Sequence, residues 1–66
     1  MSEFLLLHDN ESGGELATVR KSIISLVLPS EDYSEGSAIF TKLDDGETMI
    51  LEVKESVEEI YNMLKD

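Results

Sequence analysis

Asp45-Gly46 stands between two β-rich runs, Ser37 to Leu43 and Glu47 to Val53, and it constrains the fold more than any other stretch. Asp-Gly is favoured in a two-residue type I′ turn, where both central residues take positive φ and Gly does so without steric cost. The expected ribbon pairs Asp44 with Glu47, Lys42 with Met49, Phe40 with Leu51 and Ala38 with Val53. Opposed residues share a face of the sheet. That register puts Ala38, Phe40, Met49, Leu51 and Val53 on a core face, and Ile39, Thr41, Leu43, Thr48, Ile50 and Glu52 on the other.

A helix should follow. Ser56 with Glu59 three residues later matches a capping box, in which each side chain satisfies a backbone N–H at the helix start. Glu58 and Glu59 suit the positive end of the helix dipole and Lys65 the negative end. Val57, Ile60, Tyr61 and Leu64 make one apolar stripe, with Met63 at its edge. So short a helix is marginal alone in water, so it is expected to dock on the Phe40, Leu51 and Val53 face of the hairpin.

The first half reads as three further strands. Phe4 to Leu7 is apolar on successive residues, the pattern of a strand covered on both faces, and the polar, Gly-rich Asp9 to Gly14 ends it. Glu15 to Val19 alternates weakly, and Arg20-Lys21-Ser22 interrupts it. Ile23 to Leu28 is again β-branched and apolar, with Ile24, Leu26 and Leu28 as its more uniform set, until Pro29 removes a ladder donor. The expected elements are strands over 3–8, 15–19, 22–28, 37–43 and 47–53 and a helix over 57–65, within one domain over 1–66. Connections this short favour antiparallel neighbours. The expected class is α+β: a small antiparallel β-meander or partly open barrel of about five strands, with one C-terminal helix packed on it.

One helix covers one face of a sheet, yet several strands look apolar on both. Either the sheet curls until its far face packs on itself, or Ile39, Leu43 and Ile50 meet another molecule, with Tyr33 in the acidic loop as an amphipathic anchor. A protein partner or a homo-oligomer is therefore expected, with Ile39, Leu43, Ile50 and Tyr33 as candidate interface residues.

Charge narrows the partner. Fifteen acidic against five basic residues give a formal charge of −10, which opposes direct nucleic-acid binding because no basic patch can release phosphate counterions. The same charge would repel an anionic membrane, and Phe4 to Leu7 is far shorter than the roughly 18 residues a span requires. With no basic region ahead of that run and no Cys, the chain reads as soluble, unprocessed and cytoplasmic. The acidity serves solubility on one reading. On another it forms a face that docks on a basic protein or mimics nucleic acid.

No constellation points to a reaction or a cofactor. Asp9, Glu11 and the glycines at 13 and 14 faintly follow a calcium loop, but Arg20 stands where the closing bidentate Glu belongs. His8 is the one imidazole, with no Cys beside it to serve as a nucleophile or second ligand. The acidic pairs Glu31-Asp32, Asp44-Asp45 and Glu58-Glu59 fall in a loop, a turn and a helix start, where solvent keeps carboxylates ordinary. No catalytic, cofactor-binding or metal-binding residue is assigned.

Ala38 to Ile60, with its strand, its turn around Gly46, its second strand and the Val53-Lys54-Glu55-Ser56 segment opening an acidic-capped helix, resembles the ending of the FlbD-like small flagellar proteins and of similar short bacterial and prophage proteins. Ile23 to Leu28 and Leu16 to Val19 would correspond to that group's preceding strands, whereas Asp9 to Glu15 and Pro29 to Gly36 are longer than its loops. The resemblance implies a small, non-enzymatic accessory protein. The expected function is thus an accessory or interaction role through protein contacts, the alternative being an acidic inhibitor or nucleic-acid mimic that binds a basic protein.

Overall fold

Alternation of apolar side chains produces five six-residue strands: β1 (Phe4–Asp9), β2 (Glu15–Arg20), β3 (Ile24–Pro29), β4 (Ser37–Lys42) and β5 (Thr48–Val53). The helix α1 (Val57–Leu64) follows them. The structure, a computed structural model, describes residues 3–65, so Met1, Ser2 and Asp66 of the domain expected over 1–66 lie outside the described residues. The polar interruption after β2 takes the form of a single 3-10 turn, Lys21–Ile23, which delays the start of β3 to Ile24.

The strands form one antiparallel sheet in the order β2-β1-β5-β4-β3. β1 pairs along its length with β2, and β3, β4 and β5 form a continuous meander. β1 meets β5 at Asp9 and Val53. Two further bonds at 2.9 Å, Asn10 N–H to the Glu52 carbonyl and Lys54 N–H to the His8 carbonyl, extend that junction. β2 and β3 stand at opposite ends of this order although only the 3-10 turn separates them in the chain. The sheet must therefore curve until its two ends approach each other at that turn. The result is an α+β domain of one open five-stranded sheet and a C-terminal helix.

The hairpin register differs from the expected one by a single residue. Observed partners are Lys42 with Thr48, Phe40 with Ile50, Ile39 with Leu51, Ala38 with Glu52 and Ser37 with Val53. The connection is a three-residue loop, Asp44-Asp45-Gly46, closed by Leu43 N–H to the Glu47 carbonyl at 2.8 Å and Gly46 N–H to the Leu43 carbonyl at 2.9 Å. Gly46 takes φ of +89°, whereas Asp45 is not in the positive-φ region that a type I′ turn demands of both its central residues. One residue of slip exchanges the faces of one strand relative to the other. Ile39 therefore joins Leu51 and Val53 on the core face, and Ala38 and Phe40 move to the opposite face.

Burial follows this corrected register. Leu5, Leu7, Val19, Ile39, Val53 and Ile60 form the closed centre, with Ile23, Ile24, Val27, Leu51, Met63 and Leu64 packed around it. A bulge between Ile24 and Leu26 resets the alternation in β3. Ile24 and Val27 consequently both turn inward, while Leu26 and Leu28, grouped with Ile24 in the expected pattern, turn outward. Of the helix stripe, Ile60 is fully buried but Tyr61 is exposed, and Met63 takes its place against the core. The helix docks on the face of Ile39 and Val53, with Phe40 behind it on the other side of the sheet.

Caps and close approaches hold the ends. Ser56 Oγ accepts from Glu59 N–H at 3.1 Å while Glu59 Oε1 accepts from Ser56 N–H at 2.9 Å, the complete capping box. Gly36, at φ +100°, lies so close to the Val53 carbonyl oxygen that a Cβ there would collide with backbone. Gly46 has open space around the equivalent position. Gly46→Ala is expected to cost about 1 kcal/mol, the penalty of a left-handed residue with a side chain. Gly36→Ala should cost roughly 3 kcal/mol or more, because strain and collision add. Urea denaturation of both variants checks this, and equal midpoints would show that the close approach at Gly36 does not constrain the fold.

Candidate functional site

The face turned away from the helix is where the chain leaves apolar surface uncovered. Cross-strand pairing aligns Leu26, Phe40 and Ile50 in one row and Leu28, Ala38 and Glu52 in the next. Leu26 is 49% exposed, Leu28 43% and Ile50 54%. Phe40 between them is half-buried. Leu28, Pro29, Ala38, Phe40 and Ile50 floor a groove of about 340 Å³, and the carboxylates of Glu11, Glu31, Asp32 and Glu52 line the rest of it.

The loop between β3 and β4 fixes one wall of this groove. Ser30 N–H donates to the Gly36 carbonyl at 3.1 Å and closes the loop. Ser30 Oγ donates to Glu52 Oε1 at 2.8 Å and accepts from Tyr33 N–H at 3.1 Å. Asn10 Nδ2 reaches the Glu35 carbonyl at 3.4 Å. Glu52 is thereby buried as a hydrogen-bonded side chain beside the apolar floor. Tyr33 is half-exposed on the same loop. Its phenol pKa is raised, first by partial loss of water and then by the negative charges of Glu11, Glu52, Asp32 and Asp9, so it remains a neutral hydroxyl.

A second apolar area covers the outer side of β1 and β2. Phe4, Leu6 and Leu16 are exposed there, and the Arg20 guanidinium lies 4.9 Å from the centre of the Phe4 ring. Strand register places Phe4, Leu6, His8, Leu16, Thr18 and Arg20 on this face, none of them acidic. The two outer surfaces thus differ in electrostatic character.

The four expected interface residues separate. Ile39 is completely buried in the core, so it is withdrawn as an interface residue; the expected register had turned it outward. Leu43 is half-buried beside the hairpin loop. Ile50 lies in the groove floor and Tyr33 on the loop that walls it. Leu26, Leu28, Phe40 and the lining carboxylates were not among the expected interface residues. The alternation of Leu26 and Leu28 around Val27 is the signal that could have found them, once a bulge at Ser25 is allowed.

The remaining candidates resolve into structural roles. Asp9 Oδ1 accepts from Glu11 N–H at 3.1 Å and the Asp9 carbonyl accepts from Gly14 N–H at 2.8 Å, a self-satisfied polar turn. Among the described residues no group of three His, Asp or Glu side chains is arranged to hold a metal ion, and no helix is long and apolar enough to cross a membrane. His8 Nδ1 sits 2.7 Å from Glu55 Oε2, and His8 N–H donates to Glu55 Oε1 at 3.0 Å. Ser37 Oγ donates to the Glu55 carbonyl at 2.7 Å. Glu55 therefore links β1 and β4 to the start of α1.

No family model, curated protein or solved structure matches the chain.

Burial acts to raise the Glu55 pKa, but the side-chain and backbone hydrogen bonds of His8 and the His8 charge outweigh it, leaving the carboxyl below its ordinary 4.5. A carboxyl with a depressed folded-state pKa stabilises the fold above its unfolded value and loses that contribution as pH falls through the folded one. The urea midpoint should therefore fall with acidification below about pH 4.5 more steeply in the wild type than in Glu55→Gln. Parallel curves for the two proteins would dismiss the His8–Glu55 contact as a source of stability.

Proposed function

We propose that the chain is a small, acidic, non-enzymatic accessory module that works in the cytoplasm through protein contacts made by the outer face of β3, β4 and β5. The observation that carries this reading is the row in which exposed Leu26 and Ile50 flank the half-buried Phe40. Apolar side chains aligned in water do nothing for the monomer, and contiguous patches of this kind mark interaction sites. The likeness of Ala38 to Ile60 to the FlbD-like endings supports the same class of role, a small accessory protein of bacterial or prophage type.

Carboxylates in this molecule serve structure or face solvent. Glu59 completes the helix cap, Glu55 is engaged by His8, and Glu52 accepts from Ser30. None of these arrangements poises an acid and a base across a substrate-sized gap, which supports a binding role over a catalytic one. The carboxylates beside the groove favour a second reading, an inhibitor that occupies a basic protein in place of nucleic acid.

Affinity capture with three baits tests the proposal: wild type, Ile50→Lys, and Leu6→Lys as the control on the other apolar surface. A specific protein partner should bind Ile50→Lys at least about tenfold more weakly and Leu6→Lys unchanged. Circular dichroism confirms that each bait is folded, since both replaced residues are exposed. A partner retained by Ile50→Lys and lost by Leu6→Lys would move the interface to the outer side of β1 and β2. Capture that disappears in moderate salt for every bait would favour the charge-driven inhibitor.

A further inference from the structure

Resting on that reading, we infer that the groove takes a cationic amphipathic segment of another protein, its apolar side chain over Phe40 and Ile50 and its Lys or Arg groups against Glu31, Asp32 and Glu11.

Four features of the surface converge on this occupant. The groove residues comprise apolar side chains and carboxylates, with no Lys or Arg among them. Its volume of about 340 Å³ lies at the small end of binding pockets, room for side chains rather than for a folded domain. Apolar floor and charged wall adjoin, since Ala38 and Glu52 are cross-strand partners. Lys and Arg fit such a boundary, because their aliphatic stems lie along apolar surface while the charged heads reach acceptors. Glu52 is already anchored by Ser30, so this part of the wall is organised before a partner arrives.

The same features disfavour the other occupants. A second copy docking through this face would use the same patch twice, as two-fold symmetry requires, and would set carboxylates against carboxylates. Like charges juxtaposed across an interface are penalised. A nucleic acid would bring phosphates to the same carboxylates, in a chain of net charge −10. A basic segment reverses the sign of every one of these interactions.

Nitrogen-labelled protein is titrated with three short synthetic peptides: an amphipathic Lys and Leu peptide, a Lys and Ser peptide of equal charge, and a Glu and Leu peptide of equal apolarity. The Lys and Leu peptide should shift the amide signals of Leu28, Phe40, Ile50 and Glu52. The Lys and Ser peptide should bind at least about tenfold more weakly, and the Glu and Leu peptide should leave the spectrum unchanged. Ile50→Lys and Asp32→Lys should each weaken the Lys and Leu peptide by about tenfold, and Leu6→Lys by less than about twofold. Equal binding of the Lys and Ser peptide would overturn the inference, because charge alone would suffice. Shifts centred on Phe4, Leu6 and Leu16 would overturn it as well.

Light scattering separates failure of the partner from failure of the surface. If no peptide binds and the wild type is a dimer that Ile50→Lys dissociates, the basic segment is wrong and the outer face remains an interface. If no peptide binds and Ile50→Lys alters neither oligomeric state nor partner capture, both the segment and the surface are wrong.

Discussion

The parity of the hairpin between β4 and β5 decides everything else about this molecule. A three-residue loop with Gly46 in the left-handed region sets Ile39 opposite Leu51 and Phe40 opposite Ile50. Ile39, Leu51 and Val53 then share a face with Leu5 and Leu7, Ile60 of α1 packs into the same cluster, and a single core closes around them. The two-residue alternative would turn Ile39 into water, forgoing roughly 2 kcal/mol of apolar burial. It would also set Lys42 on the core face opposite Met49, where an unpaired charge is costly by several kcal/mol. Slip is thus opposed from both strands at once. The outer row of Leu26, Phe40 and Ile50 is a product of the same parity, so the fold and the candidate site share one cause.

Local chemistry was the most legible part of the sequence. The capping box at Ser56 and Glu59 and the end of β3 at Pro29 report short-range physics, whereas the start of β3 is moved to Ile24 by the 3-10 turn before it. Register was less legible because Asp-Gly satisfies two different loops: Gly takes positive φ in both, and only the conformation of Asp45 separates them. Lys42 held the deciding information, since a core face that includes a lysine is a poor face. The bulge in β3 was hidden for a related reason. No residue announces it, and its cause is long-range, in the inward packing of both Ile24 and Val27 against the core. Tyr61 shows the same limit in the helix, where a residue of the expected stripe is left in solvent and Met63, at the stripe's edge, packs against the core instead.

The two halves of the chain are joined by few but specific contacts. β1 pairs with β5 at Asp9 and Val53, with the Asn10–Glu52 and Lys54–His8 backbone bonds beside that pair. The joint is reinforced by Glu55 on His8 and by Asn10 Nδ2 on the Glu35 carbonyl, while Ser37 Oγ on the Glu55 carbonyl fixes Glu55 from its own side. With no disulfide and a core of this size, such polar links occupy positions where packing alone is thin. They also lie on the inner side or at strand ends. The outer face of β3, β4 and β5 is therefore stabilised from behind, and its exposed side chains remain available without being needed for folding.

Glu52 ties these two layers together. It lies in β5 between Leu51 and Val53, both of which point into the core, and its own side chain points out beside Ala38. Its carbonyl accepts from Asn10 at 2.9 Å and its carboxylate accepts from Ser30 at 2.8 Å, so one residue holds the β1 turn, the β3–β4 loop and the groove wall. An apolar contact surface without such a group would invite any oily partner, including another copy of itself. The exposed carboxylates of Glu11, Glu31 and Asp32 beside that anchored residue change the selection: a neutral apolar segment would strip water from them and offer nothing in return, whereas a cationic one compensates the lost hydration. Specificity of this kind arises from penalising the wrong partner as much as from attracting the right one. That logic distinguishes the groove from the area of Phe4, Leu6 and Leu16, where strand register places no carboxylate among the outward residues and self-association meets no such penalty.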